Sequence, residues 1–261
     1  MRTFKPLKGY NVLVTRGKEQ SESLNRIIAA NGGNSYAVPL IDFVLPKDPS
    51  AVKKYIVHLD EFDWLVFTSQ NGVKFFFELA EQTPHIGNMP KIAVIGVKTK
   101  QALAEWGYQA DFMPDEFVAE AFTKQFNQHL QQSDKVLVAK GNLARSVISE
   151  SINRSGADCK EVIVYETILP EASEPKLAEL LRNRKIDIVT FSSSSTVNHF
   201  VEVVKKHDLQ TEARDLIVVC IGPVAKKTAE NLGLVVHVYP DMEYTAKAMI
   251  ESLIHYLELR K

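Results

Sequence analysis

Two short stretches gather hydroxyl and amide groups in a pattern suited to holding anions. Thr68-Ser69-Gln70-Asn71-Gly72 follows the apolar run Trp64–Phe67, and Ser192-Ser193-Ser194-Ser195-Thr196 follows Ile188–Phe191. Each run is short and rich in β-branched or aromatic residues, as a buried strand is, and each polar turn precedes a segment with helical spacing. A helix start leaves about four N–H groups without partners and carries a partial positive charge, so donors gathered there can bind an anion. Ordinary N-capping would draw the same residue types to the same place. The design occurs twice, opened by Asp63 and Asp187 and closed by Val73 and Val197. That repetition favours two donor sets and a ligand with several negative groups.

The elements that would position these turns also repeat. Residues 11–15 read as a strand and Arg16-Gly17-Lys18 as the turn after it. Residues 21–31 carry Leu24, Ile27 and Ile28 at helical spacing and stop at Gly32-Gly33, a helix C-terminal signal. Residues 36–43 read as a strand interrupted by Pro39, which suits an edge or a crossing segment. A helix is expected within 46–59, a strand over 91–95, a turn at Gly96-Val97-Lys98-Thr99 and a helix over 100–105. A short strand over 108–113 and a helix over 117–131 complete the copy. At Lys135 the pattern restarts: residues 136–139 and the turn Lys140-Gly141 mirror residues 12–15 and Arg16-Gly17, and residues 146–155 mirror the first helix. Val136, Gly156, Phe191 and Val197 each stand 124 positions after Val12, Gly32, Phe67 and Val73, and Gly222 and Gly233 follow Gly96 and Gly107 by 126. A repeat of alternating strand and helix means two similar α/β domains with parallel sheets. Right-handed crossovers put the strand-to-helix turns of each copy along one sheet edge, where such sheets bind ligands, and the expectation is a cleft between the two.

Bulk composition excludes several classes. A chain of 261 residues with 45% apolar and 24% charged residues has ample length for buried cores. A formal net charge of −1 argues against a nucleic-acid surface. Cys159 and Cys220 have neither metal-type spacing nor a disulfide framework, and Cys220 falls within an apolar run that reads as core. The seven histidines are scattered, and His199 reads as a plain helix residue. With no signal-peptide core and no membrane span, a cytoplasmic protein is expected.

Several motifs, in their order, resemble the uroporphyrinogen-III synthase family: VLVTR near the N-terminus, VFTSQNGV paired with VTFSSSSTV, AVIGVKTKQALAEWGY paired with VVCIGPVAKKTAENLGL, and VLVAKGNLARSVISESINRSGADCKEVIVYET between them. The likeness runs from about residue 9 to 255. It implies two flavodoxin-like parallel-sheet domains joined by a two-stranded linker. One would be discontinuous, residues 1–37 with 170–261, the other an insertion over 44–162, with linker strands at 38–43 and 163–169.

The resemblance also implies a reaction. Linear hydroxymethylbilane is closed to uroporphyrinogen III, with loss of water and inversion of the last ring through a spirocyclic intermediate. Unaided closure gives the uninverted type I isomer, so positioning is the main catalytic resource. The substrate is rich in carboxylates, which suits rows of hydroxyls, N–H groups and helix starts. No metal or organic cofactor is implied; a monomer is expected, with a transient hand-over from the upstream hydroxymethylbilane synthase, and no nucleic-acid or membrane partner.

Tyr165, in VYET, matches the tyrosine this family places at its site. A phenol keeps its proton at neutral pH and can donate it to the departing hydroxyl, although a tyrosine in a strand is also ordinary. The resemblance gives substrate-binding roles to Thr15 and Arg16, to Ser69, Asn71 and Gly72, to Gly96 and Thr99, to Lys140, Gly141 and Arg145, to Ser192, Ser193, Ser194 and Thr196, and to Gly222. The sequence departs from the family pattern at Ala225, where a hydroxyl is usual, and at Lys140, where arginine is; lysine lacks the bidentate grip. A sugar-phosphate isomerase, with the serine run as phosphate cradle, and a non-enzymatic two-domain ligand sensor are the other readings. The isomerase leaves the second turn unexplained. The sensor would need an output module outside the repeat.

Overall fold

The computed structural model describes residues 5–84 and 87–260, apart from the side chains of 18–20. The chain opens with β1 (Asn11–Val14), α1 (Lys18–Ala30) and β2 (Asn34–Ala37). It continues with β3 (Asp42–Val44), α2 (Ser50–Val57), β4 (Trp64–Phe67), α3 (Gln70–Ala80), β5 (Lys91–Val94), α4 (Val97–Glu105), α5 (Ala119–Phe126), β6 (Lys135–Gly141), α6 (Val147–Arg154) and β7 (Asp158–Ile168). It closes with α7 (Ser173–Arg182), β8 (Ile188–Phe191), α8 (Ser194–Lys206), α9 (Gln210–Arg214), β9 (Ile217–Cys220), α10 (Pro223–Asn231), β10 (Val236–Val238) and α11 (Ala246–Glu258). These elements form two compact units, Met1–Asp42 with Ile168–Lys261, and Phe43–Thr167.

Each unit is built on its own sheet. The first has the order β10-β9-β8-β1-β2, with each neighbouring pair parallel. Counted along the chain of that unit this is the order 2-1-3-4-5, a doubly wound arrangement. The second has β3-β7-β6-β4-β5, parallel from β7 to β5. The 124-residue offset equates β6, β7 and β4 with β1, β2 and β8, so the two units share one spatial order although the chain enters the second mid-way.

The central strands are continuous apolar runs because both sheet faces are covered. All four residues of β4 and of β8 are buried. In the first unit, one face packs Leu13, Val189 and Phe191 beneath α7, α8 and α10, and the other packs Val12, Val14 and Ile188 beneath α1 and α11. α8 turns Val197, Phe200, Val201 and Val204 inward, the spacing of an amphipathic helix. In the second unit, Leu65, Phe67, Leu137 and Ala139 lie on the α3 side and Val66, Val136 and Val138 on the α5 and α6 side.

Some boundaries differ from the sequence expectation. The strand expected over 36–43 is two: β2, an edge strand of one sheet, and β3, in the other, with Pro39, which has no N–H to donate, between them. No strand forms over 108–113. One parallel bridge joins Ala93 to Phe112, and the Asp111 carboxylate accepts the Ile92 N–H at 2.7 Å, replacing a ladder bond. The helix expected over 117–131 spans only α5 and a short tight turn, Asn127–His129. β6 runs through Lys140 and Gly141, expected as a turn, because β7 is long enough to pair with both. Among the described residues no helix is long and apolar enough to cross a membrane, and no group of three or more His, Cys, Asp or Glu side chains is placed to hold a metal.

Candidate active site

Strand order reverses between β1 and β8 in the first unit and between β6 and β4 in the second. Open α/β sheets bind ligands beyond the C-terminal strand ends at such a point. The candidate residues lie along these two edges, and each edge is described on its own.

In the second unit Tyr165 is the centre of a constellation. Val162 and Val164 of β7 pack with Leu137 and Ala139 on the α3 face, so strict alternation would turn Tyr165 to the opposite face. The register slips instead: Ile163 lies opposite Lys140, but Tyr165 lies opposite Gly141. The extra residue re-aims the tyrosine towards α3. There its ring stacks on Phe75 (centroids 5.7 Å apart, 22° between planes) and meets Phe43 edge-on at 5.8 Å. The phenol oxygen lies 3.2 Å from Ser69 Oγ, which accepts the Gly72 N–H at 3.0 Å as the N-cap of α3. Gly141 makes room for the ring: a Cβ there would stand 2.5 Å from Tyr165 Cζ and 2.7 Å from Oη. Four candidates, Tyr165, Ser69, Gly72 and Gly141, are thus brought together, with Asn71 half-buried in the same first turn.

Lys140 is placed differently from the expectation. It is 6% exposed, and its Nζ lies 2.6 Å from Glu161 Oε2 and 3.1 Å from Ser146 Oγ. Ser149 donates to the other Glu161 oxygen at 2.5 Å. Burial on its own would raise the Glu161 pKa; the hydrogen bonds from Lys140, Ser149 and Ser146 together outweigh it and hold the carboxyl below its ordinary value. The ammonium therefore joins β6, β7 and α6 and is not offered to a ligand. Arg145 is exposed on the turn beyond β6, 3.5 Å from Glu120, a surface pair of small energy. Gly96 caps α4 in extended conformation beneath the half-exposed ring of Phe117.

The first unit gathers a second donor set. Thr15 is fully buried: its hydroxyl donates to Thr190 O at 2.7 Å, and the Thr190 hydroxyl donates to Leu13 O at 3.0 Å, stitching β1 to β8. Arg16 follows, half-buried, with burial lowering its pKa. Its Nε finds no hydrogen-bond partner among the described residues, a donor left over for a ligand. Ser193 caps α8 by accepting the Thr196 N–H at 3.3 Å, Ser194 pairs with the Thr228 hydroxyl at 2.8 Å, and Ser192 is half-buried. Thr196 is buried, its hydroxyl donating to Ser193 O at 2.8 Å, so what this turn can offer is Ser192, the cap and backbone N–H groups. Gly222 caps α10 under the ring of Tyr244; a Cβ there would meet Cδ1 at 2.9 Å. His199, expected to be a plain helix residue, has its Nδ1 hydrogen-bonded to Leu40 O.

Thr99 is 4% exposed and Ala225, at the matching place, 3%. Both point inward, which explains why alanine can stand where a hydroxyl was expected. Sequence reasoning missed Phe43 and Phe75 around the tyrosine, Glu161, and the aromatic covers Phe117 and Tyr244. A signal for the covers existed: Pro240-Asp241 repeats Pro114-Asp115 at the 126-residue offset, with an aromatic shortly after each.

Residues 22–251 match the family HEM4, uroporphyrinogen-III synthase HemD. A uroporphyrinogen-III synthase of Synechococcus elongatus is 28% identical over 87% of this chain and 88% of its own length. A putative uroporphyrinogen-III synthase of Methanocaldococcus jannaschii is 30% identical over 93% of this chain and 97% of its own. Among solved structures, a mutant uroporphyrinogen III synthase of Thermus thermophilus has a TM-score of 0.68 at 15% identity, covering 96% of this chain and 100% of that one. The uroporphyrinogen-III synthetase of Helicobacter pylori has a TM-score of 0.57 at 16% identity, covering 94% and 98%. At those identities the structural likeness is one of fold.

Proposed function

Because this chain belongs to the uroporphyrinogen-III synthase family, we propose that it closes hydroxymethylbilane to uroporphyrinogen III, releasing water and inverting the last ring. The hydroxyl of the first ring takes a proton and departs as water, leaving an electron-poor carbon. The substituted carbon of the last ring attacks it, the spirocycle so formed fragments and recloses, and the proton shed as the final pyrrole regains aromaticity restores the balance. Tyr165 is the proton donor in this reading, and the observation that carries it is the phenol at the switch point, its oxygen 3.2 Å from a helix-capping serine.

The substrate's carboxylates need donors, and each sheet edge supplies its own. In the second unit these are the α3 N-terminus with Asn71 and Gly72, the α4 N-terminus at Gly96, and Arg145. In the first they are Arg16, Ser192, the capped start of α8 and the α10 N-terminus at Gly222. Thr15, Thr99, Lys140 and Thr196 serve by holding these edges in shape. The enzyme works without a metal or organic cofactor, as a cytoplasmic monomer receiving its substrate from hydroxymethylbilane synthase. No observation favours a phosphate-ester isomerase or a ligand sensor.

The test is steady-state turnover of freshly generated hydroxymethylbilane. Tyr165→Phe lowers kcat by about 10- to 100-fold, the scale of one general acid, and leaves KM nearly unchanged. An unaltered kcat would remove Tyr165 from the chemistry.

A further inference from the structure

The phenol at the site has one proton and two possible directions for it. Ser69 Oγ and Tyr165 Oη lie 3.2 Å apart, and either oxygen can be the donor. If Tyr165 donates to Ser69, its only proton is held inside the protein. If Ser69 donates to Tyr165, the phenolic proton is free to face a ligand. A hydroxyl has one hydrogen and two lone pairs, and Ser69 already accepts the Gly72 N–H at 3.0 Å. A hydroxyl that accepts one hydrogen bond is polarised into a better donor. The series Gly72 N–H to Ser69 to Tyr165 also runs outward from the positive end of α3, aligned with the helix dipole. Phe75 and Phe43 meet the Tyr165 ring and the bare Gly141 lies beside it, and among the described residues Ser69 is the side chain found hydrogen-bonded to the phenol.

We infer that Ser69 is a positioning residue for the Tyr165 hydroxyl: it donates its proton to Tyr165 Oη, turning the phenolic proton outward and stabilising the oxygen as that proton leaves. This rests on the reading of Tyr165 as the proton donor. The proton passed to the departing hydroxyl comes from Tyr165 alone. Ser69 keeps its own, and the phenol is reprotonated by the proton released on ring closure. Ser193 caps α8 in the same manner, but among the described residues its hydroxyl meets Thr196 and no tyrosine, so this role belongs to Ser69.

A double-mutant cycle on the whole protein tests it, with kcat measured at saturating hydroxymethylbilane and melting temperatures recorded for every variant. In the wild-type background Ser69→Ala lowers kcat by about 10-fold, the scale of one hydrogen bond, and Ser69→Thr, which keeps both the cap and the donor, restores it. In the Tyr165→Phe background Ser69→Ala changes kcat by less than about twofold, because the group it acts through is gone. Assays run well below the melting temperature of every variant keep each protein folded, so the stability lost with the cap and with the Tyr165 contact does not mimic the coupling in kcat. Equal losses of kcat in the two backgrounds would overturn the inference and leave Tyr165 as proton donor. Failure of Tyr165→Phe itself to lower kcat would overturn both.

Discussion

Gly141 leaves the space in which the Tyr165 phenol lies. A methyl group there would be 2.5 Å from Cζ and 2.7 Å from Oη, inside any tolerated contact, so the ring must move. Gly141→Ala is therefore expected to lower kcat by about 10-fold or more while the protein stays folded, as steady-state kinetics and a thermal melt would show; an unchanged kcat would mean that the phenol's place is immaterial. Tyr165 and the capping serines were legible from residue types and from the family resemblance. The pairing of Tyr165 with Ser69 was not, because it depends on a one-residue register slip that no local pattern announces. Lys140 was misread for a related reason. A lysine before glycine looks like a turn, but here the strand continues and seats it against Glu161.

At the scale of the element, the edges depend on caps and on one internal ion pair. Ser193→Ala removes the acceptor for the Thr196 N–H and should lower stability by about 1 kcal/mol, the usual cost of a lost N-cap; denaturant titration measures it, and no change would mean that backbone or solvent replaces the cap. Lys140→Ala leaves Glu161 partly buried without its cation and should cost about 2–3 kcal/mol, less than a fully buried pair because the Glu161 side chain is 26% exposed. A loss below about 0.5 kcal/mol, as for surface pairs, would contradict the structural role given to it. Strands β4 and β8 and their following helices were readable because continuous apolar runs have few other destinations. The missing strand over 108–113 was not: the segment reaches β5 through the single bridge of Ala93 to Phe112 and a contact from the Asp111 side chain, a distinction that alternating residue types do not carry.

Over the whole molecule the two units should respond to acid in sequence. In the first, His237 Nδ1 accepts the Val218 N–H at 3.1 Å, and burial with nearby Arg260 lowers its pKa below the ordinary 6.5. A base depressed in this way contributes stability that is whole above pH 6.5 and lost as pH falls through the folded value. In the second, Glu161 is held below its ordinary 4.5, so its contribution persists until pH falls below that value. Hydrogen exchange followed from about pH 7 to about pH 4 should show protection falling around β9 and β10 before it falls around β6 and β7; the reverse order, or a loss that His237→Gln does not alter, would contradict this. The repeat that equates the two units was visible in the sequence as a fixed offset, because the offset survives wherever strands and turns keep their lengths. Which strands share a sheet was less visible, since the second unit begins part-way through the shared order.

The proposed reaction inverts one ring while closing a macrocycle. The most direct test gives the purified protein freshly generated hydroxymethylbilane, oxidises the product and separates the isomers, with a protein-free control. The expected products are type III isomer with the protein and type I in the control. Type I alone in both would rule out ring inversion by this protein.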